Sequence, residues 1–247
     1  MRVCTYNIWD GGGDRLADIA DVLRSIDPSV AALLEVKEEA VAARLARELE
    51  MEHAFGEGNG EWHVAWLSRL QIRRAQNHPL PALAKTLLEI EVDGMRLFAT
   101  HLASSHEAAR RPRTAELRAI LEILAACDGP NVLAGDLNAL VRGDAIGVPP
   151  VGVVPRGDAA PGAVRAVLDP LSAAGYVDCF RKLHPDEPGW TFPADSPWLR
   201  LDYVFASAEL APTLTACDVR DSEQARVASD HLPVWAEFSF PSGRAEP

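Results

Sequence analysis

Short apolar runs recur along the chain, and many of them end in a polar or charged side chain. Residues 2–8 alternate well enough for a first strand, which delivers Asn7 just before the glycines at 11–13. Asp14 is placed to cap a helix that carries Leu16, Ile19, Leu23 and Ile26 along one face and stops at Asp27 and Pro28. Residues 30–34 form a second apolar run with Glu35 at its far end. Val41, Leu45 and Leu49, spaced by four, predict another helix. A glycine-rich loop is expected over 56–60 and a strand over 62–68.

The clearest hairpin joins residues 85–92 to 95–102 through Asp93 and Gly94, the favoured pair for a tight turn between alternating strands. Its second arm delivers His101. A helix over 114–126 turns Leu117, Ile120, Leu121 and Leu124 inward. The apolar run at 132–134 then leads into Gly135, Asp136, Leu137 and Asn138. If the chain is still extended there, the period of two puts Asp136 and Asn138 on one face. The ordinary alternative is a turn that caps the next element. Residues 141–162 are rich in Gly and Pro and read as a long surface loop. A helix interrupted at Pro170 is expected over 164–174, and short strands over 190–192, 201–206, 214–219 and 234–240. Strands in both halves, helices between them and no internal repeat predict one layered α/β domain spanning residues 1–247.

Composition narrows the function. The chain has 36 acidic against 24 basic residues and a net charge of -12, which disfavours extended electrostatic wrapping of duplex DNA. The four cysteines, Cys4, Cys127, Cys179 and Cys217, form no C-x-x-C pair, so structural zinc is not expected. The start of the chain reads as a strand and no apolar run is long enough to span a membrane, so a cytoplasmic protein is expected.

Polar groups gather at strand ends: Asn7, Glu35, His101, Asp136, Asn138, Asp202, Asp230 and His231. Each has an ordinary explanation by itself. Asn7 suits a turn, Glu35 a helix start, the histidines a satisfied core, and Asp202 an ion pair with Arg200 on the same strand face. The joint pattern is what points to chemistry, because ordinary strands end in turn glycines rather than in Asn, Glu, Asp and His.

In chain order, Thr5-Tyr-Asn-Ile8, Leu33-Leu-Glu-Val36, Leu67-Ser-Arg69, Thr100-His-Leu102, Gly135-Asp-Leu-Asn138, Arg200-Leu-Asp-Tyr203 and Ser229-Asp-His231 resemble the motif series of the endonuclease/exonuclease/phosphatase superfamily. Residues 175–181 and 190–192 resemble further segments of it. The resemblance implies a four-layer α/β/β/α sandwich of two mainly antiparallel mixed sheets with the site at one edge. It implies a divalent-metal phosphoesterase, a nuclease among the options, with Glu35, Asn7 and Asp230 toward Mg²⁺ or Mn²⁺. An all-oxygen donor set suits either ion. Asp136 and Asn138 would handle the attacking water and a phosphate oxygen. His231, paired with Asp202, would donate to the phosphate, with His101 as a second donor. Which of Asp136 and His231 is the base stays open at this level. Tyr203 and Arg200 would support the site from behind.

Departures from the family pattern bear on the substrate. Leu34 stands where the family usually has a glutamine. The basic cluster Arg110, Arg111 and Arg113 either holds a substrate phosphate or is a solvated helix entry. Trp62, Trp66, Trp190 and Trp198 either stack on bases or fill the core. Nucleic acid, a lipid headgroup or a small phosphorylated metabolite all fit as substrate, and a monomer is expected. Two rival classes are a Ser–His–Asp hydrolase and an inactive phosphate-binding sandwich. Ser229, Asp230 and His231 are adjacent and so cannot form a relay with one another, and the chain has no G-x-S-x-G elbow.

Overall fold

A computed structural model describes residues 1–155, 157–160, 162–163 and 165–239. In chain order its elements are β1 (Arg2–Asn7), α1 (Leu16–Ile26), β2 (Val30–Val36), α2 (Glu39–Leu49), β3 (Glu52–Gly56) and β4 (His63–Ser68). There follow β5 (Arg74–His78), β6 (Leu87–Val92), β7 (Met95–His101), α3 (Arg113–Ala125) and β8 (Asn131–Asp136). The last third holds α4 (Asp169–Ala173), β9 (Val177–Asp178), α5 (Cys179–Leu183), β10 (Asp202–Ala206), β11 (Leu214–Val219), α6 (Glu223–Ala228) and β12 (Val234–Phe238).

The strands form two six-stranded sheets, ordered β11-β12-β1-β2-β4-β3 and β5-β6-β7-β8-β10-β9. Each has one parallel pair at its centre, β1 with β2 and β7 with β8, and is otherwise antiparallel. A parallel neighbour needs a crossover, supplied by α1 in the first sheet and α3 in the second.

Alternation along the central strands sets the layers. Val3 of β1 joins Trp66, Ile90, Leu97, Val132 and Val204 in the core between the sheets. Cys4 and Tyr6 of the same strand face α1 and α6 instead. In β8, Val132 and Ala134 lie between the sheets, whereas Leu133 packs outward with Leu117 and Ile120 of α3. Strands buried on both faces read as apolar runs. The result is the expected α/β/β/α sandwich.

Several local expectations are corrected. Asp14 makes no capping bond; a 3₁₀ turn over Gly13–Arg15, entered through a left-handed Gly12, leads into α1. Gly56 closes β3 rather than opening a loop. β3 and β5 (Glu-His-Ala-Phe-Gly and Arg-Ala-Gln-Asn-His) are two of the four edge strands, where one-sided exposure admits polar residues and hides the strand pattern. Helix is confined to Asp169–Ala173 instead of running from 164, and Val164 itself lies outside the described residues. Residues 190–192 contribute only an isolated bridge from Phe192 to Leu199. β12 ends at Phe238, and Phe240 lies outside the described residues. Leu121 is half-buried rather than inward. Among the described residues, no helix is long and apolar enough to cross a membrane.

Candidate active site

The register brings strand ends from both sheets to one edge. β8 ends in Asp136, opposite His101 at the end of β7 and opposite Asp202 at the start of β10. In the other sheet β1 ends in Asn7 beside Leu34 of β2, and β12 enters antiparallel from the turn that carries His231.

Asp136 is the hub. Its Oδ2 accepts from Asn7 Nδ2 at 3.2 Å and lies 3.3 Å from His101 Nε2 and 3.7 Å from His231 Nε2. Its Oδ1 accepts from the backbone N–H of Asn138 at 2.9 Å. Burial, opposed by His231 and reinforced by Asp202, lifts this carboxyl to about 7. Burial disfavours charge on His231, but the carboxylates of Asp202 and Asp136 outweigh it and lift the imidazole to about 10. His231 Nδ1 lies 2.8 Å from Asp202 Oδ2. His101 behaves oppositely, because burial, with Lys85 and His231 nearby, holds it well below the usual histidine value. It is therefore neutral.

Glu35 and Asn138 reach the edge through unusual backbone. Glu35 sits at φ 60° where the pairing of β2 with β4 slips between Leu34 and Val36. The bulge takes its side chain out of the strand's alternation. Its Oε1 accepts from Asn7 Nδ2 at 3.1 Å and its Oε2 from the N–H of Asp10 at 3.0 Å. Asp10 and Trp9 are also left-handed, at φ 53° and 50°. Asn138, at φ 47°, is not extended after Asp136. A turn closed by the Asp136 carboxylate replaces the expected shared face, and it swings the Asn138 amide onto His101 Nε2 at 3.0 Å and Leu102 O at 3.2 Å. Such conformations are sparsely populated, cluster at functional sites and cost on the order of 1–3 kcal/mol each.

Asn7 directs its amide nitrogen to both carboxylates, while its oxygen accepts from Trp9 N–H at 3.1 Å. Asp230 is half-buried, with its Oδ1 buried and without a hydrogen-bond partner. Burial raises its carboxyl, and the negative charges of Glu35 and Asp202 add to the shift. Asp136, Asp202 and His231 also stand close enough to enclose an ion. Nδ1 of His231 is held by Asp202, and its Nε2 faces Asp136 at 3.7 Å.

Some supports were not visible in the sequence. Ser229 Oγ donates to the Asn7 carbonyl at 2.6 Å and accepts from His231 N–H at 3.3 Å. That commitment makes it a brace between two site segments and removes it as a nucleophile of a hydrolase relay. Thr191 Oγ1 accepts from the N–H groups of Leu201 and Asp202 at 3.0 and 3.3 Å. Arg15 reaches Trp9 O and Ala228 O, both at 2.5 Å, so it ties the exit of β1 to the His231 turn. The only sequence signal for Ser229 was its place beside Asp230 and His231.

Arg200 does not pair with Asp202. Its guanidinium, buried, binds the buried Asp144 at 2.9 Å and the half-buried Asp178 at 2.7 Å, and lies 4.5 Å over the Tyr203 ring. The basic cluster is divided. Arg113 is buried and donates to Ala103 O at 2.7 Å, Arg111 donates to Leu83 O, and Arg110 is exposed. Trp66 and Trp198 are core residues, whereas Trp62 and Trp190 are half-buried.

A two-sheet sandwich with carboxylates and imidazoles converging at one edge is the architecture in which the family match below places this chain. A sequence profile described as the Endonuclease/Exonuclease/phosphatase family matches residues 4–231. The chain belongs to that family. Its fold is similar to that of an AP endonuclease from Archaeoglobus fulgidus (20% identity, 97% of this chain and 100% of that one, TM-score 0.80). It is also similar to NExo, a 3′ phosphatase from Neisseria bound to a product DNA hairpin (22% identity, 97% and 100% covered, TM-score 0.78). A third similar structure is a humanized D. rerio TDP2 (19% identity, 97% and 99% covered, TM-score 0.71). No sequence among the curated proteins compared matches this chain.

Proposed function

We propose that this chain is a divalent-metal-dependent phosphoesterase that cleaves a phosphodiester or phosphomonoester by in-line attack of water. The observation that carries the reading is Asp136: buried, lifted to about 7, and in contact with Asn7, His101, His231 and Asn138 together.

The donor set fits Mg²⁺ or Mn²⁺. Glu35 and Asp230 offer hard oxygens, and the orphaned buried Oδ1 of Asp230 is costly to leave without a partner. Asn7 serves this set by holding Glu35 and Asp136 through its N–H groups. When bound, such an ion polarises the phosphate and offsets charge on the leaving oxygen.

The two shifted groups divide the proton work. At neutral pH His231 is an imidazolium, so it donates and stabilises charge added to the phosphate. Asp136, near 7, is the group able to take a proton from water. This supports Asp136 rather than His231 as the base. Asp202 holds His231 in orientation and keeps it charged. His101, being neutral, accepts from the Asn138 amide and positions it, in place of a second cationic donor. Asn138 is then the group placed to hold a phosphate oxygen or the water.

Hydrolysis of bis-p-nitrophenyl phosphate tests the assignment. Asp136→Asn and His231→Ala are each expected to lower kcat by about 10²–10⁴-fold, the usual contribution of a positioned acid or base. Full activity in either variant would remove the role given to that residue.

A further inference from the structure

Helix α3 turns Leu117, Ile120 and Leu124 onto the second sheet, and one turn before Ile120 it buries a carboxylate, Glu116. Its Oε1 accepts from the N–H of Ala84 and its Oε2 from the N–H of Ala103, both at 2.8 Å. Burial lifts the carboxyl against the pull of those two bonds, so an apolar side chain would sit there at less cost. What the carboxylate holds is the point of interest. Ala103 follows His101 by two residues, beyond the end of β7. The peptide that joins Leu102 to Ala103 gives its N–H to Glu116, and its C=O accepts from Asn138 Nδ2 at 3.2 Å. Arg113 Nε, at the entry of the same helix, holds the next carbonyl, Ala103 O, at 2.7 Å. One peptide group therefore joins Glu116 to a side chain of the site.

The Leu102 carbonyl settles which way round the Asn138 amide stands. A carbonyl oxygen only accepts, so the amide atom beside it is the nitrogen. Both N–H bonds of Asn138 are then taken, one by Leu102 O and one by His101 Nε2 at 3.0 Å. Nε2 is free to accept because burial, with Lys85 and His231 nearby, keeps His101 neutral. What the amide has left is Oδ1, an acceptor. It takes a hydrogen bond from water and repels a phosphate oxygen. With the Leu102 carbonyl turned away, the amide could reverse, so that His101 donates to Oδ1 and the N–H bonds are released.

We propose that Glu116 is a positioning residue: through the Leu102–Ala103 peptide it fixes the Asn138 amide with Oδ1 toward the attacking water. The part played by water rests on the phosphoesterase reading, whereas the orientation of the amide does not. The division of labour is simple. One hydrogen of the water goes to Asp136, the assigned base, and Asn138 Oδ1 accepts the other, which leaves a lone pair of the oxygen for phosphorus. Glu116 is buried behind the site and acts only through that peptide.

The test reads Asn138 directly by NMR and again through turnover. The Asn138 side-chain amide signals, assigned by their loss in Asn138→Ala, are expected to be protected from solvent exchange in the wild type. Glu116→Met keeps the bulk and removes both acceptors, so exchange of those signals should quicken by about tenfold or more. On bis-p-nitrophenyl phosphate with Mg²⁺, Glu116→Met should lower kcat by about tenfold and leave KM within about twofold. Made in the Asn138→Ala background, the same change should move kcat by less than about twofold, because the group it acts through is gone. Equal losses of kcat in the two backgrounds would show a general structural role and overturn the proposal. Asn138 signals that exchange freely in the wild type, or that Glu116→Met leaves unchanged, overturn it as well. Should Glu116→Met not fold, Glu116→Gln, which turns one accepting oxygen into a donor, is judged by the same two readouts. Failure of the wild type to hydrolyse the ester would instead remove the phosphoesterase reading and leave the NMR result to decide whether Glu116 holds Asn138.

Discussion

At the scale of single residues, Asp136 and His231, to which we assign the roles of base and acid, show how one edge can hold two groups of opposite tendency together. Both are buried within 3.7 Å of each other, yet their environments set them about three pH units apart, at about 7 and about 10. kcat/KM should therefore fall as Asp136 takes up a proton, with a limb at or below about 7 in the presence of a cation. It should fall again as His231 loses its own near 10. Asp202→Asn removes the main charge that supports the imidazolium, so the alkaline limb should move down by a unit or more in the pH–rate profile. An unmoved limb would mean that another group titrates there. The stability linkage has the matching sign. Because folding raises the His231 value, the pair's contribution is complete below about 6.5 and is lost as pH rises through about 10. That these residues sit at strand ends was legible in the sequence, and the structure brings them to one edge. Their conformations were not legible. A period-two reading cannot anticipate the bulge at Glu35 or the carboxylate-closed turn at Asn138, because both depend on partners distant in the chain.

At the scale of elements, the site depends on two strands that meet without room to spare. A β-carbon added at Gly135 would lie 1.9 Å from Thr100 O, so β8 approaches β7 closely just before Asp136 and His101. Gly135→Ala should destabilise the protein by about 1–3 kcal/mol or more, read from urea denaturation, and lower activity together with it. The segment before β10 is held by Arg200 between Asp144 and Asp178. Arg200→Ala would leave Asp178 without its charge partner and Asp144 with Arg181 alone, and should cost up to about 3–5 kcal/mol by the same measurement. A neutral result would mean that these groups find water. The sequence placed Arg200 near the site but gave it the wrong partner. Same-face logic chose Asp202, whereas the guanidinium lies before the strand begins and turns to a loop and to Asp178. Edge strands β3 and β5 and the short helices α5 and α6 were illegible for a related reason. They are stabilised by what they pack against rather than by a periodic pattern of their own.

For the molecule as a whole, the ordered series of strand ends made sheet architecture and site location readable together. Four buried segments from one sheet and the other meet only because β1 with β2 and β7 with β8 run parallel and finish at the same edge. Such a concentration of carboxylates, Glu35, Asp136, Asp202 and Asp230, is unfavourable without compensating positive charge. His231 supplies part of it, and the central claim is that a divalent cation supplies the rest. The most direct measurement is hydrolysis of bis-p-nitrophenyl phosphate by protein stripped with EDTA and then titrated with Mg²⁺, for the wild type and for Glu35→Gln. No turnover is expected after stripping, with recovery as Mg²⁺ is added and at least tenfold more Mg²⁺ required by Glu35→Gln. Undiminished turnover in the stripped wild type, or the same Mg²⁺ dependence in the variant, would contradict that claim.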